Sequence, residues 1–308
     1  MSSNKQAICD VLLALSNENP DIIVLCSDSR GSASATEFSE KQPGQFIEVG
    51  IAEQNLVSVA AGLASCDMRP FILSPACFIS TRSMEQVKVD VCYSNTNVKL
   101  IGVSGGVSYG ALGMTHHAIH DIATLGILPG LRFYLPSDEF ASKALIQRIA
   151  LDSSPAYIRV GRNASPRVYT EDYVFPSDDK AITVREGNDI TIIACGDMVR
   201  AAVEAADKLQ GKGISCRVLD MYCIKPIDKE AIKKAASETK AIVTIEEHST
   251  FLGLGALVAK EMVGTGTPLR IMGLPDSPVI TGKQQEVFDY YGLNKDGIAK
   301  VVCELWEN

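Results

Sequence analysis

Three of the four histidines in the 308-residue sequence fall within five residues, in the segment GALGMTHHAIHDIATL. They are His116, His117 and His120, and they follow an apolar run and a glycine-rich turn, SGGVSYGALG. Ligands of open α/β sheets bind outside the carboxyl ends of the strands, where an imidazole can hydrogen-bond a hydroxyl or transfer a proton near neutral pH. The spacing therefore predicts a ligand site around Thr115 and His116.

Two other interpretations of the histidine cluster stay open. Thr115 can be the N-cap of a surface helix on which the histidines are only polar residues. His116 and His120 also have the spacing of the two zinc ligands in H-E-x-x-H, which share one helix face. His117 stands where that motif has its glutamate, and the sequence offers no obvious third ligand.

Two carboxylates flank a second candidate junction, in FIEVGIAEQNLVSVAAGLA. Glu48 precedes the junction, and Glu53 enters a run of apolar and small residues. Such surroundings disfavour an ionised carboxylate, which suits an acid that donates a hydrogen bond to a ring nitrogen. The alternative is that Glu53 only complements the dipole at the start of a helix.

A third feature is the G-x-G at 253–255 in STFLGLGALVAKEM, which opens a helical pattern. The dinucleotide fingerprint requires a third glycine, where this sequence has Val258, and an acidic residue about 20 positions further on. Close packing between a helix and a sheet is therefore the expectation for these glycines. His248, just before them, is expected to be structural.

The elements that must position these residues follow an alternating pattern. Apolar, β-branched runs predict strands near 21–28, 69–75, 97–106, 130–138 and 156–162, and amphipathic segments such as 54–64 and 84–93 predict helices between them. Such alternation is typical of a parallel sheet. The pattern resumes with strands near 188–197, 214–222 and 241–248. We therefore expect two doubly wound α/β domains, at 1–165 and 188–308, joined by a linker at 166–187 that is rich in proline and charge.

Composition excludes several other classes of protein. Hydrophobic residues make up 46% and charged residues 21% of the chain, as in folded globular proteins. The net charge of −8 argues against a nucleic-acid partner. Nine scattered cysteines without a C-x-x-C pair predict reduced core thiols. With no secretory signal and no apolar run of about 18 residues, we expect a cytoplasmic protein without a membrane partner.

Five segments, in order along nearly the whole chain, resemble the carboxyl-terminal half of transketolase: VGIAEQN, PFILSPACFISTRSMEQV, GALGMTHHAIHDIA, SPAYIRVGR and TIEEHSTFLGLG. The resemblance implies a pyrimidine-binding, thiamine-diphosphate-type domain followed by the smaller transketolase C-terminal α/β domain. It also implies transfer of a two-carbon ketol unit from a ketose to an aldose, with thiamine diphosphate as cofactor.

The resemblance assigns roles to particular residues. Glu53 matches the acid that contacts N1′ of the aminopyrimidine, and Phe78 matches the ring that stacks on it. His116 matches a histidine of the substrate channel, which binds a sugar hydroxyl or shuttles its proton. Arg162 and Ser32 match contacts to the substrate's terminal phosphate. Arg159 is a near neighbour of Arg162, so the assignment between these two arginines stays open.

Departures from the transketolase pattern cluster at the sugar end. Lys5 occupies the place of a phosphate-binding arginine, Ser104 that of a histidine and Leu112 that of an aspartate that touches an acceptor hydroxyl. His120 stands where related short chains carry glutamate. These differences are compatible with an anionic ketose of unusual shape, such as a sulfonated or branched sugar.

The sequence also lacks a segment that the cofactor requires. Thiamine-diphosphate enzymes hold the diphosphate through Mg²⁺ bound by a G-D-G…N segment, because the cation bridges charged oxygens and oxygen ligands. No G-D-G occurs here, so no metal ligand is assigned to this chain. The resemblance therefore implies the small subunit of a split transketolase, with Mg²⁺ and the diphosphate held by an N-terminal partner subunit in an α₂β₂ assembly.

Two alternative functions stay open. The β subunit of a 2-oxoacid dehydrogenase E1 component shares the two-domain layout and the G-I-A-E-Q segment, although it usually reads G-H-G…H-S-Q where this chain reads T-H-H. The second alternative is a half-chain that only binds a ligand or partner as a regulator.

Overall fold

The computed structural model describes residues 2–307, which form two α/β units. The strands are β1 (Ile22–Cys26), β2 (Phe46–Glu48), β3 (Arg69–Pro75), β4 (Lys99–Val103), β5 (Arg132–Tyr134), β6 (Ala156–Val160), β7 (Ile182–Arg185), β8 (Ile190–Ala194), β9 (Cys216–Asp220), β10 (Cys223–Lys225), β11 (Ala241–Ser249) and β12 (Leu269–Leu274). The helices are α1 (Asn4–Ser16), α2 (Thr36–Lys41), α3 (Glu53–Ala64), α4 (Ala76–Thr81), α5 (Met84–Gln86), α6 (Asp121–Gly126), α7 (Glu139–Ile149), α8 (Met198–Gln210), α9 (Lys229–Glu238), α10 (Leu254–Glu261), α11 (Gln284–Tyr291) and α12 (Lys295–Glu307).

Each unit is built on one mostly parallel sheet. The first has the strand order β10-β5-β6-β4-β3-β1-β2, and the second has the order β12-β11-β8-β9-β7. The antiparallel pairs are β10 with β5 and β7 with β9. Strands β1, β4, β6, β8 and β9 are buried along their whole length, as parallel strands covered by helices on both faces must be. The predicted fold class of two doubly wound α/β units is confirmed.

The two units are joined more closely than the sequence pattern indicates. The segment 166–187, expected to be a linker, ends in strand β7, which pairs with β9. Strand β10 lies beyond that segment and returns to the edge of the first sheet. One apolar cluster also contains residues from both units, including Ile122 and Leu125 of the first and Leu254 and Val258 of the second. The surface between the units is therefore part of the hydrophobic core.

The cysteines do not all lie in the core. Six are buried, Cys92 and Cys303 are half-buried, and Cys66 is exposed. The prediction of a core thiol is wrong for Cys66, which follows the end of α3 in a surface turn. All nine are free. Within residues 2–307, no helix has the length and apolar character needed to cross a bilayer.

A buried ionic cluster links β6 to the second unit. Arg159 is 5% exposed, and its Nη2 donates to the carbonyl oxygen of Glu247 at 2.6 Å. Its Nε lies 3.6 Å from Oδ2 of Asp121, which also accepts a hydrogen bond from the hydroxyl of Tyr157 at 2.9 Å. The same Nη2 lies 3.9 Å from Oε2 of Glu247, so Arg159 is the cation beside two buried acids that lie between the units.

We expect Arg159→Met to lower the free energy of unfolding by about 3 kcal/mol, because it leaves Asp121 and Glu247 buried without their cation. The matched control is Arg162→Met, three residues along the chain, whose side chain is exposed. Urea denaturation of both variants tests this expectation. Equal stabilities would show that the cluster contributes nothing specific.

Candidate active site

Four of the predicted site residues line one cavity of about 260 Å³. It lies at the carboxyl ends of β1 and β3 and is closed on one side by the loop that follows β4. Two larger clefts, of about 390 and 520 Å³, contain none of the predicted residues. The residues that line the cavity include Asp28, Ser32, Ile51, Glu53, Phe78, Tyr109, Leu112 and His116.

The two carboxylates of the FIEVGIAEQN segment have separate roles. Glu48 ends β2, and its Oε1 accepts hydrogen bonds from the backbone N–H groups of Asp28 at 2.7 Å and Gly50 at 3.0 Å. Gly50 has φ +74°, a left-handed conformation that glycine adopts without strain. The turn places Glu53 at the first position of α3, where its side chain is 2% exposed and lines the cavity. Glu48 thus holds the loops that follow β1 and β2, and Glu53 is the acid inside the cavity.

Arg82 is a residue of this site that the sequence analysis missed. Its Nη1 donates to Oε2 of Glu53 at 2.6 Å, and its guanidinium carbon lies 4.6 Å from the centre of the Phe78 ring. The surroundings of Glu53 are therefore not purely apolar, contrary to the expectation, because a guanidinium group contacts its carboxylate. Phe78 and Arg82 are four residues apart in and just after α4, a spacing that brings side chains together on a helix. That spacing is the sequence signal from which the role of Arg82 could have been predicted.

His116 stands at the cavity with one ring nitrogen held by its neighbour. Its Nδ1 lies 2.9 Å from Oγ1 of Thr115, and that hydroxyl donates to the carbonyl oxygen of Leu112 at 3.3 Å. With Nδ1 held by Thr115, the Nε2 atom of the ring makes no hydrogen bond within residues 2–307 and stays available to a ligand. The ring meets Phe78 edge to face, with centres 5.3 Å apart.

The other two histidines of the cluster have different surroundings. His117 is buried, its Nε2 lies 3.3 Å from the carbonyl oxygen of Gly110, and burial lowers its pKa. His120 is exposed and immediately precedes α6. The zinc and surface-helix interpretations are wrong, because residues 116–120 are not helical. No trio of His, Cys, Asp or Glu within residues 2–307 is arranged to hold a metal ion.

A positive patch lies at one end of the cavity. Lys5 donates from Nζ to the carbonyl oxygen of Ser32 at 2.6 Å, and its pKa is lowered by burial and by the charge of Arg162. Arg162 follows β6 and is exposed, with its guanidinium carbon 4.6 Å from the centre of the Tyr109 ring. Since Arg159 is committed to the buried cluster, Arg162 is the arginine of this pair that can meet an anion.

The remaining sequence features are structural. A Cβ on Gly255 would lie 2.4 Å from the side chain of Ile271, so the G-x-G allows close packing between helix and sheet, as expected. The backbone N–H groups of Leu254 and Gly255 donate to the carboxylate of Glu246 at 2.5 and 2.8 Å. His248 is fully buried, and burial lowers its pKa to about 4. The structural interpretation of His248 is confirmed.

Two of the residues that depart from the transketolase pattern lie at different depths. Ser104 is fully buried at φ +60°, and its hydroxyl has no hydrogen-bond partner in the described part of the chain. Leu112 is 54% exposed and lines the cavity. An apolar side chain therefore lies in the cavity wall at the position where the transketolase pattern has an aspartate.

The fold and the cavity together define a two-unit α/β protein with a cavity at the carboxyl ends of its strands. The sequence matches "Transketolase, pyrimidine binding domain" over residues 2–167 and "Transketolase, C-terminal domain" over residues 179–298. The chain belongs to the transketolase family and is a carboxyl-terminal transketolase subunit. Thiamine diphosphate is the cofactor of that family.

Similar proteins include two subunits of divided transketolases. The chain is 47% identical to an apulose-4-phosphate transketolase subunit of Phocaeicola vulgatus, over 99% of this chain and 98% of the relative. It is 36% identical to a 6-deoxy-6-sulfo-D-fructose transketolase subunit of Clostridium sp., over 97% and 92% of the two chains. A solved structure described as a split gene transketolase, inactive beta4 tetramer, has TM-score 0.88 and 34% identity and covers 99% of this chain.

Proposed function

We propose that this cavity is the chain's share of a transketolase active site, in which Glu53 and Phe78 bind the aminopyrimidine of thiamine diphosphate. The supporting observation is that one cavity contains a 2% exposed acid, an aromatic ring and a histidine with a free Nε2. These groups suit the ligand, since an aminopyrimidine presents a basic ring nitrogen to an acid and a flat face to an aromatic ring.

The residues of the chain divide the work between the two ends of the substrate. When bound beside Glu53 and Phe78, thiamine diphosphate would supply a ring carbon that, once its proton is removed, is a nucleophile for the ketose carbonyl. Glu53 holds or releases the proton shared with the pyrimidine nitrogen. The free Nε2 of His116 accepts a proton from a sugar hydroxyl and later returns it. Arg162, Lys5 and Ser32 bind the terminal anion.

We further propose an α₂β₂ assembly in the cytoplasm, in which an N-terminal partner subunit holds Mg²⁺ and the diphosphate. The absence of a G-D-G segment from this sequence supports a partner that carries it. The nine free cysteines are typical of a reducing compartment.

The proposed substrates are anionic ketoses and aldoses of unusual shape. The names of the two relatives above specify a branched sugar phosphate and a sulfonated sugar. In this chain a basic patch remains for the anion, whereas Leu112 cannot accept a hydrogen bond from a hydroxyl of the acceptor sugar.

We expect Leu112→Asp to raise kcat/KM for linear aldose phosphates relative to branched ones by about tenfold, as one hydrogen bond from a hydroxyl to a carboxylate allows. Leu112→Asn is the matched uncharged control. Competition assays with paired acceptors measure the ratio. An equal loss on all acceptors would assign Leu112 to packing instead.

Reconstitution tests the proposed function. The chain is mixed with the protein encoded by the neighbouring gene, thiamine diphosphate, Mg²⁺, a panel of ketose phosphates and an aldose. Transfer of the ketol unit is then measured. Turnover that needs both polypeptides supports the proposal. Activity only on a 2-oxo acid with an artificial electron acceptor would favour the E1 alternative, and an inert mixture would favour a binding role.

A further inference from the structure

Tyr109 touches both ends of the proposed site. The guanidinium of Arg162 lies over the face of its ring, 4.6 Å from the centre. The ring of Tyr109 also meets the ring of His116 edge to face, with centres 5.6 Å apart and planes at 73°. Tyr109 lies in the glycine-rich turn that precedes the histidine cluster, and its sequence context assigned it no role.

The loop that carries Tyr109 is held by the second unit. A Cβ on Gly110 would lie 2.2 Å from the carbonyl oxygen of Gly282, so the two backbones are in close contact. The backbone N–H of Val107 donates to Oε1 of Glu247 at 2.8 Å. Arg162 is tied to the same loop, since its backbone N–H donates to the hydroxyl of Ser108 at 3.4 Å. The ring of Tyr109 therefore stands on a fixed base.

A fixed ring limits where the arginine can bind an anion. An arginine side chain that is free in solvent loses rotamer entropy when it binds, and stacking on an aromatic face reduces that loss. If the guanidinium followed a longer or shorter substrate, it would leave the ring and lose the stacking contact. The same ring contacts the imidazole of His116, so it fixes the distance between the groups that bind the two ends of the substrate.

We propose that Tyr109 is a positioning and specificity residue that sets the separation between the anion-binding Arg162 and His116, and thereby selects anionic sugars of one chain length. This inference rests on the function proposed above. The ring and not the hydroxyl is responsible, since the hydroxyl makes no hydrogen bond within residues 2–307.

The first part of the test uses the isolated full chain. NMR spectra of the His116 ring and of the Arg162 Nε–H group are compared for Tyr109→Leu, Tyr109→Phe and a control, Tyr290→Leu, whose exposed side chain lies in α11. Tyr109→Leu should shift both groups, whereas Tyr109→Phe and the control should not. Unchanged signals in Tyr109→Leu would overturn the positioning role.

The second part uses the reconstituted pair and a series of ketose phosphates that differ by one carbon. Tyr109→Leu should raise KM for the preferred length about tenfold and reduce the preference between neighbouring lengths to within about twofold. Tyr109→Phe should match the wild type. If the reconstituted enzyme with Tyr109→Leu is active and keeps the length preference, the inference about Tyr109 is wrong and the proposed function is unaffected. A wild-type pair inactive on every donor overturns the proposed function and the length selection with it.

Discussion

Glu53→Gln is expected to lower kcat of the reconstituted enzyme by about 10²–10⁴-fold, the usual contribution of a general acid or base. The amide keeps the size of the side chain but cannot exchange a proton with the pyrimidine nitrogen. Stability should change little, because the partner of Glu53, Arg82, is 42% exposed and can hydrate once the ion pair is lost. Steady-state kinetics and urea denaturation of the same preparation measure the two quantities.

The control for this prediction is Glu40→Gln, which changes an exposed glutamate of α2. It should leave both quantities unchanged. A Glu53→Gln enzyme that turns over at the wild-type rate would remove Glu53 from the mechanism. A large loss of stability without a specific loss of kcat would make it a structural acid.

Periodicity predicted the elements that form the centre of each sheet. Strand β3 spans 69–75 as expected, and β1 and β6 lie within their predicted runs. These strands are mostly apolar because both of their faces are buried. The predicted strand runs omit the four edge strands β2, β7, β10 and β12, of which β12 has six residues and the others three or four. Short edge strands carry too few residues for a pattern, and their pairing depends on strands distant in sequence.

The sequence predicted those site residues whose roles are tied to a short motif. It did not predict residues whose roles depend on contacts between segments that are distant in sequence. Glu53, Phe78 and His116 are identified by their segments, and the structure brings them to one cavity. Arg82 shares a segment with Phe78, and Tyr109 lies in the glycine-rich turn, but their roles depend on the rings and charges that the fold places beside them. Arg159 and Arg162 also look equivalent in the sequence AYIRVGR. In the structure Arg159 lies within β6 and is buried, whereas Arg162 lies beyond the end of β6.

Arg162→Ala is expected to raise KM for phosphorylated substrates roughly 30- to 150-fold. This change corresponds to about 2–3 kcal/mol of binding free energy, which is the contribution of a charge-assisted hydrogen bond. KM for unphosphorylated substrates should stay within about twofold, because the exposed guanidinium meets only the anionic end. Lys5 remains in the patch, so inorganic phosphate should still compete weakly. Steady-state kinetics on paired substrates, with the exposed Arg270→Ala as control, decides the matter. An equal rise in KM for both substrate classes would remove Arg162 from anion recognition and leave Lys5 as the cation that binds the anion.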